Sequence, residues 1–126
     1  MLPKAERLQK NKDFEFVFKL KNSVATNTII LYVELKNNAE DVILPKVGFV
    51  VGKKVHRHST ERNIVKRRMR ESYRLLRKEN PYLVQNFKTL IFIARPAIFA
   101  KDYQEIDKSI KDNLFKAKKF IKSTKC

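Results

Sequence analysis

Apolar side chains follow two different patterns along the chain. In three stretches they recur three and four residues apart, the spacing that brings hydrophobic residues onto one face of an α-helix. These stretches predict helices over residues 13–21, 60–78 and 102–120. Three shorter stretches are rich in β-branched and aromatic residues, a composition that favours strands. They predict strands over residues 29–35, 47–51 and 90–94.

Turn-forming and capping residues separate these segments. Residues 37–41 form a polar cluster that is typical of a turn, and residues 42–44 predict a further short strand. Ser59 or Thr60 can cap the central helix, and Pro81 ends it on the other side. The predicted order is therefore α-β-β-(β)-α-β-α, a small α+β domain with about four strands and three helices.

The same periodicity predicts which side chains form the core. The apolar stripe of the central helix consists of Val65, Met69, Tyr73 and Leu76. That of the last helix consists of Ile106, Ile110, Leu114 and Ala117. Periodicity alone also favours core packing for three phenylalanines of the first helix, Phe14, Phe16 and Phe18. In the first strand, alternation places Tyr32 on the same face as Ile30, where it is half exposed.

The charge of the chain is strongly one-sided. Its 126 residues are enough for one domain over residues 1–126, and 29 Lys and Arg against 13 Asp and Glu give a net charge of +16. Such an excess favours a polyanionic partner, which can be nucleic acid, an anionic membrane or an acidic protein. The single cysteine, Cys126, fits a reducing compartment. With no secretory signal and no membrane-spanning apolar run, we expect a cytoplasmic protein without a membrane partner.

The positive charge is concentrated around the central helix. Residues 53–78 contain eleven Lys or Arg and two acids, so 11 − 2 gives +9. Six polar side chains share the helix face beside the apolar stripe, namely Asn63, Lys66, Arg67, Arg70, Arg74 and Arg77. That face contains no carboxylate, and Glu71 lies to its side. A solvated charged face normally mixes both signs, so the pattern favours an external anion, and guanidinium groups match phosphate geometry.

A specific motif surrounds the start of this helix. Lys53 and Lys54 are followed, after seven residues, by Arg62-Asn63-Ile64-Val65-Lys66-Arg67-Arg68-Met69-Arg70-Glu71. This spacing resembles the signature of the bacterial ribonuclease P protein, and the resemblance extends over about residues 7–119. The flanking matches are Arg7-Leu8, Asn11-Lys12-Asp13-Phe14, Val17-Phe18 and the predicted strands. The chain departs from the family pattern at Ile64, where Arg is usual, at Gly52, where Ser is common, and at Leu20-Lys21, where a small residue is frequent.

The resemblance implies a function and a set of site residues. In this family RNA carries the catalytic metals and hydrolyses the phosphodiester bond, while the protein binds that RNA and the 5′ leader of precursor tRNA. The implied catalytic-RNA contacts are Lys53, Lys54, Arg62, Asn63, Lys66, Arg67, Arg70 and Arg74. The implied leader-binding residues are Phe14, Phe18, Ile30 and Tyr32. No protein side chain is expected to be catalytic or to bind metal, Mg²⁺ is expected at the RNA active site, and no protein partner is predicted.

The resemblance also implies one feature of the fold. The family's parallel βαβ unit has a left-handed crossover, like that of a ribosomal protein, against the usual right-handed rule. Residues 120–126 are expected to form a basic tail beyond that fold.

Other functions fit parts of the sequence. A ribosomal or other structural RNA-binding protein with no associated nuclease is the main alternative, and only the spacing of the motif separates the two. A DNA-binding protein would need a base-reading helix, and a membrane-surface protein would need an exposed amphipathic helix. A protein-only nuclease would need paired carboxylates, whereas the acids are scattered. His56 and His58 lack the further ligands that zinc requires.

Overall fold

The protein is described by a computed structural model that covers residues 6–36, 45–54, 56–84 and 86–123, apart from the side chains of residues 82 and 121–123. Within these residues the helices are α1 (Asn11–Leu20), α2 (Ser59–Glu79) and α3 (Tyr103–Ser123). The strands are β1 (Ser23–Ala25), β2 (Ile29–Leu35), β3 (Lys46–Val50) and β4 (Phe87–Ala94). Short 3₁₀ turns at Pro81–Leu83 and Pro96–Ala100 stand on either side of β4.

The four strands form one mixed sheet in the order β1-β2-β4-β3. β2 pairs antiparallel with β4, and β1 pairs antiparallel with β2. β3 lies parallel to β4, and α2 connects them, because parallel neighbours need a crossover between their ends. This β3–α2–β4 unit is the one to which the predicted left-handed crossover applies.

The two faces of this sheet are covered unequally. One face carries fully buried side chains such as Leu31, Val33 and Phe92, which pack with the apolar stripes of α2 and α3. The other face is contacted by α1, a helix of 10 residues. Ile30 and Tyr32 lie on this second face and are half-buried. The sheet therefore has one closed face that supplies the core and one face whose side chains remain partly accessible.

The elements confirm the predicted order, and the ends of each predicted segment are shifted by at most three residues. β1 is absent from the predicted elements, because a strand of three residues is too short to show an alternating pattern. Its formation depends on pairing with β2, in which Ser23 stands opposite Tyr32. The strand predicted at residues 42–44 and the turn predicted at residues 37–41 lie outside the described residues.

Both long helices bury their predicted stripes. The buried or half-buried members are Val65, Met69, Tyr73 and Leu76 of α2 and Ile106, Ile110, Leu114 and Ala117 of α3. The predicted cap of α2 is wrong. The helix already begins at Ser59, so His58 occupies the N-cap position, and it makes no side-chain capping hydrogen bond. A capping side chain must stand in the non-helical position before the first turn, and neither Ser59 nor Thr60 does.

Gly48 in β3 allows α1 to approach the sheet closely. A Cβ atom at this position would lie 2.6 Å from two ring carbons of Phe14, well inside the separation of about 3.5–4.0 Å at which carbon atoms attract each other. The glycine therefore leaves room for the Phe14 ring, which packs with Leu8 and Ile91. At Gly52, beyond the end of β3, a Cβ atom would have no neighbour within 4 Å.

We predict that Gly48→Ala displaces the Phe14 ring and lowers the free energy of unfolding by about 1 kcal/mol, the lower end of the cost of overpacking. In a Phe14→Ala background the same substitution is expected to cost nothing, because the clashing ring is absent. Urea denaturation of the single and double variants measures this coupling. Gly52→Ala is the matched control and leaves stability unchanged. Equal penalties for Gly48→Ala in both backgrounds would contradict the predicted clash.

Candidate nucleic-acid interface

The half-buried face of the sheet brings together the four predicted leader-binding side chains. Phe14 and Phe18 lie on successive turns of α1, with ring centroids 6.4 Å apart. Phe18 meets the ring of Tyr32 edge-on at 5.0 Å. Ile30 lies on the same face of β2 as Tyr32 and stands opposite Ile93 of β4. Each of the four is half-buried, so each packs on the protein and keeps part of its surface accessible.

Two further side chains belong to this face and were missed by sequence reasoning. Val50 of β3 and Ile93 of β4 are register partners. Both are half-buried and pack against the same small buried cluster as Phe18 and Tyr32. Alternation along each strand indicates which residues share a face, but only strand pairing decides which of them become neighbours. The aromatic surface, as we call it, consists of Phe14, Phe18, Ile30, Tyr32, Val50 and Ile93.

The core packing predicted for the phenylalanines of α1 is wrong for Phe16, whose side chain is 52% exposed. Residues two apart on a helix are separated by about 200° around its axis. The helix face that turns Phe14 and Phe18 toward the sheet therefore turns Phe16 toward solvent. Phe14 and Phe18 themselves are intermediate, since they pack on a small cluster beside the main core without being fully buried.

Four basic side chains of α2 lie together with Asn63 on one side of the helix. Within the described part of the chain, none of them forms an ion pair. The basic face, as we call this group, consists of Arg62, Asn63, Lys66, Arg67 and Arg70. The Nε atom of Arg62 is also buried without a hydrogen-bond partner among the described residues. Neighbouring like charges on a helix destabilise it, so the group favours an anionic ligand.

Two cations of the predicted face are neutralised by the protein itself, which corrects the prediction that the face lacks counter-charges. Arg74 binds Glu71, with Nη2 2.6 Å from Oε1. This hydrogen bond lowers the pKa of Glu71 and raises the pKa of Arg74. Arg77 has its Nε atom 3.1 Å from Oε1 of the buried Glu6. Glu71 is a neighbour at i−3 that the sequence shows, whereas the fold alone brings Glu6 to Arg77.

Arg68 points toward α3 and not toward an external ligand. Its Nη2 atom lies 3.1 and 2.9 Å from the two carboxylate oxygens of Asp107, and Ser72 donates a hydrogen bond to the same carboxylate. The Arg68 guanidinium also covers the ring of Tyr103, 4.4 Å from its centroid. Arg68 therefore joins α2 to α3 and does not replace the arginine that the family usually has at the position of Ile64.

A groove joins the aromatic surface to the basic face. It has a volume of ≈240 Å³ and is lined by Phe14 of the aromatic surface, by Lys66 and Arg70 of the basic face, and by Gly48 between them. Arg7 also lines it, held beside β3 by a single bridge to Val47. Sequence reasoning did not single out Arg7 as a site residue, because this long-range contact leaves no local signal.

The predicted contacts Lys53 and Lys54 are exposed in a turn after β3. This turn is part of the connection to the N-terminus of α2, where the basic face begins. Lys53 and Lys54 therefore lie between β3, at the edge of the sheet, and the start of the basic face, and both are accessible to a ligand.

The side chains of the aromatic surface and the basic face are of the kinds that bind nucleic acid. Among the described residues, no three His, Cys, Asp or Glu side chains are placed to hold a metal ion. A basic helix can follow the phosphates of folded RNA, and aromatic side chains give single-stranded bases a surface to stack on. Separately, none of the described helices is both long and apolar enough to cross a membrane.

Comparison with known proteins identifies the family. A family model described as Ribonuclease P matches residues 2–118. The chain belongs to the ribonuclease P protein family. The ribonuclease P protein component of Clostridium kluyveri is 39% identical over 112 residues, which cover 88% of this chain and 93% of that protein. The one from Alkaliphilus metalliredigens is 38% identical over 104 residues, which cover 82% of this chain and 86% of that protein.

Solved structures of the family share the fold. A mutant Staphylococcus aureus RNase P protein with defective mRNA degradation activity matches with a TM-score of 0.75 and 30% identity, over 91% of this chain and 90% of that one. The Thermotoga maritima RNase P protein has a TM-score of 0.69 over 86% and 94% of the chains, at 22% identity, so it supports the fold alone. Family membership confirms the prediction of a ribonuclease P subunit over that of an RNA-binding protein without a nuclease, and implies ribonuclease P RNA as the partner.

We predict that Arg67→Ala combined with Arg70→Ala weakens binding to ribonuclease P RNA without unfolding the protein, because neither guanidinium has an ion pair among the described residues. Each lost phosphate contact lowers the slope of log affinity against log salt by about 0.7–0.9, so the pair lowers it by about 1.5. Fluorescence anisotropy across a salt series measures the slope, and circular dichroism checks the fold.

The matched control for this pair is Lys111→Ala combined with Lys119→Ala, which removes the same charge from exposed positions of α3. We expect this control to leave the slope nearly unchanged. The same loss of slope in both double variants would show that net charge, and not a localised site on α2, governs RNA binding.

Proposed function

We propose that the basic face binds phosphates of the catalytic ribonuclease P RNA while the aromatic surface holds the single-stranded 5′ leader of precursor tRNA. The protein would then position the substrate beside the RNA that removes the leader and generates the mature tRNA 5′ end. The observation that carries this proposal is the groove between the two surfaces. Phe14 and Lys66 line the same groove, so an RNA strand can pass from stacking side chains to cations without leaving the protein.

The proposed catalytic-RNA contacts are the cations that have no ion pair among the described residues, together with Asn63 beside them. They are Lys53, Lys54, Arg62, Asn63, Lys66, Arg67 and Arg70. Folded RNA is bound mostly through its phosphates and its shape, which suits cations spaced along a rigid helix. Arg74 is expected to contribute less than these residues, because Glu71 already neutralises its charge.

The proposed leader contacts are the members of the aromatic surface. Phe18 and Tyr32 hold each other edge-to-face, which orients both rings before a ligand arrives. Their neighbours Ile30, Val50 and Ile93 are aliphatic and carry no side-chain hydrogen-bonding group. A surface of this kind can stack on any base but has few groups that read base edges. We therefore propose that it binds leaders with little dependence on their sequence.

We propose that the hydrolysis takes place in the RNA and that RNA phosphates hold the Mg²⁺ it requires. Among the described residues, no three acidic or histidine side chains are placed together to hold a metal ion. The contribution of the protein is to bind and orient the substrate, which lowers the entropic cost of reaching the reactive geometry. The cytoplasm, predicted from the sequence, is the proposed compartment.

We predict that Tyr32→Ala weakens binding of precursor tRNA to the holoenzyme but leaves binding of leaderless tRNA unchanged. Stacking of one base on an aromatic ring contributes about 1–3 kcal/mol, equivalent to about 5- to 150-fold in affinity. Phe16→Ala is the matched control, since it removes an exposed aromatic ring from the opposite side of α1. An equal effect of Tyr32→Ala on both substrates would remove Tyr32 from the leader site.

Reconstitution tests the function as a whole. The protein is mixed with the catalytic RNA of its own source at low Mg²⁺ concentration, and cleavage of precursor tRNA is followed. We expect the wild-type protein to rescue cleavage and the Arg67→Ala, Arg70→Ala double variant to rescue it less, because the basic face offsets repulsion between phosphates. Failure of the wild-type protein to stimulate cleavage at any Mg²⁺ concentration would overturn the proposal.

A further inference from the structure

A second groove lies on the side of α2 that faces α3, outside the aromatic surface. It has a volume of ≈350 Å³ and is lined by Ile64, Arg67, Arg68, Glu71 and Tyr103. Ile64 and Tyr103 are large side chains that remain 43% and 58% exposed. Single exposed apolar residues are common, but two that line one groove with polar groups at its rim are typical of a ligand site.

The ring of Tyr103 in this groove is held in place by a cation–π contact. The Arg68 guanidinium covers one face of its ring at 4.4 Å from the centroid, an arrangement that is favourable by cation–π attraction. Asp107 in turn fixes Arg68 through two contacts of 2.9 and 3.1 Å. Tyr103 is still 58% exposed, so part of its surface outside the Arg68 contact is accessible to a second planar group.

The charged side chains that line the groove restrict which planar group can bind there. Arg67 has no ion pair among the described residues and belongs both to the basic face and to this groove. Glu71 lines the groove as well, and its hydrogen bond from Arg74 lowers its pKa, which keeps it ionised. The carboxylate of Glu71 is already paired with Arg74 and disfavours a phosphate close to it, whereas Arg67 attracts one. The lining therefore fits a planar, uncharged ring that carries an anionic group on its outer side.

We propose that this groove binds one unpaired nucleobase of the catalytic ribonuclease P RNA, stacked on Tyr103 beside Ile64, with the phosphate of that nucleotide on Arg67. The inference rests on the proposed function, because it extends the RNA contact of the basic face toward α3. Unpaired bases of folded RNA are commonly held by stacking on aromatic side chains. At Ile64, where the family signature usually has Arg, an apolar contact with a base takes the place of a contact with a phosphate.

Substitution of Tyr103 tests the contact with the catalytic RNA. Tyr103→Ala is expected to reduce affinity by about 5- to 150-fold, as the loss of one stacked base does, without changing the salt slope. Tyr103→Phe keeps the ring and is expected to bind within about twofold of wild type, since stacking does not need the hydroxyl. Phe115→Ala is the matched control, because it removes another exposed aromatic ring of α3, one covered by Lys118 at 4.8 Å. Equal affinities for Tyr103→Ala and Phe115→Ala would overturn the proposal.

Ultraviolet crosslinking of the wild-type holoenzyme provides a second measurement that does not depend on the folding of a variant. We expect mass spectrometry to find a nucleotide of the catalytic RNA attached to Tyr103. Its absence there, or a crosslink to precursor tRNA in its place, would overturn the inference.

The Arg67→Ala, Arg70→Ala double variant distinguishes failure of the groove proposal from failure of the proposed function. If it weakens RNA binding while Tyr103→Ala does not, the groove proposal fails and the proposed function stands; if wild type itself does not bind the RNA, the proposed function fails.

Discussion

The unequal covering of a single four-stranded sheet is the constraint on which the other features of this protein depend. Two helices of 21 residues close one face, where fully buried side chains such as Leu31 and Phe92 lie. Each fully buried side chain of this size contributes about 1.5–3 kcal/mol to stability. Because that face supplies the core, the opposite face can keep apolar side chains half-exposed under the shorter α1 without loss of the fold.

The close approach of α1 to the sheet then determines the shape of the open face. Gly48 removes the one side chain that would hold the Phe14 ring away from β3. The ring therefore reaches the groove that Lys66 and Arg70 of α2 also line. In this way a glycine in an edge strand connects a stacking surface with a cationic helix, although it carries no functional group itself.

The small number of acids divides the arginines of α2 into two kinds. Asp107 and Glu6 come from other segments and hold Arg68 and Arg77, so these arginines fasten α2 to α3 and to the N-terminal segment. The basic face has no such partners in the described part of the chain, so an external anion would relieve the repulsion between its cations. Against a net charge of +16, it is the placement of the few carboxylates that separates structural cations from those available to RNA.

The sequence by itself determined the order of the main elements, the buried stripes of α2 and α3, and the family motif that begins at Lys53, because periodicity and spacing are properties of residues close together in the chain. Only the tertiary structure decided that Arg77 is neutralised by Glu6 and that Val50 and Ile93 join Phe18 and Tyr32. These contacts link distant segments, and strand pairing or helix docking selects them from many partners of the same chemical type. The short strand β1 belongs with them, since its three residues become a strand only by pairing with β2.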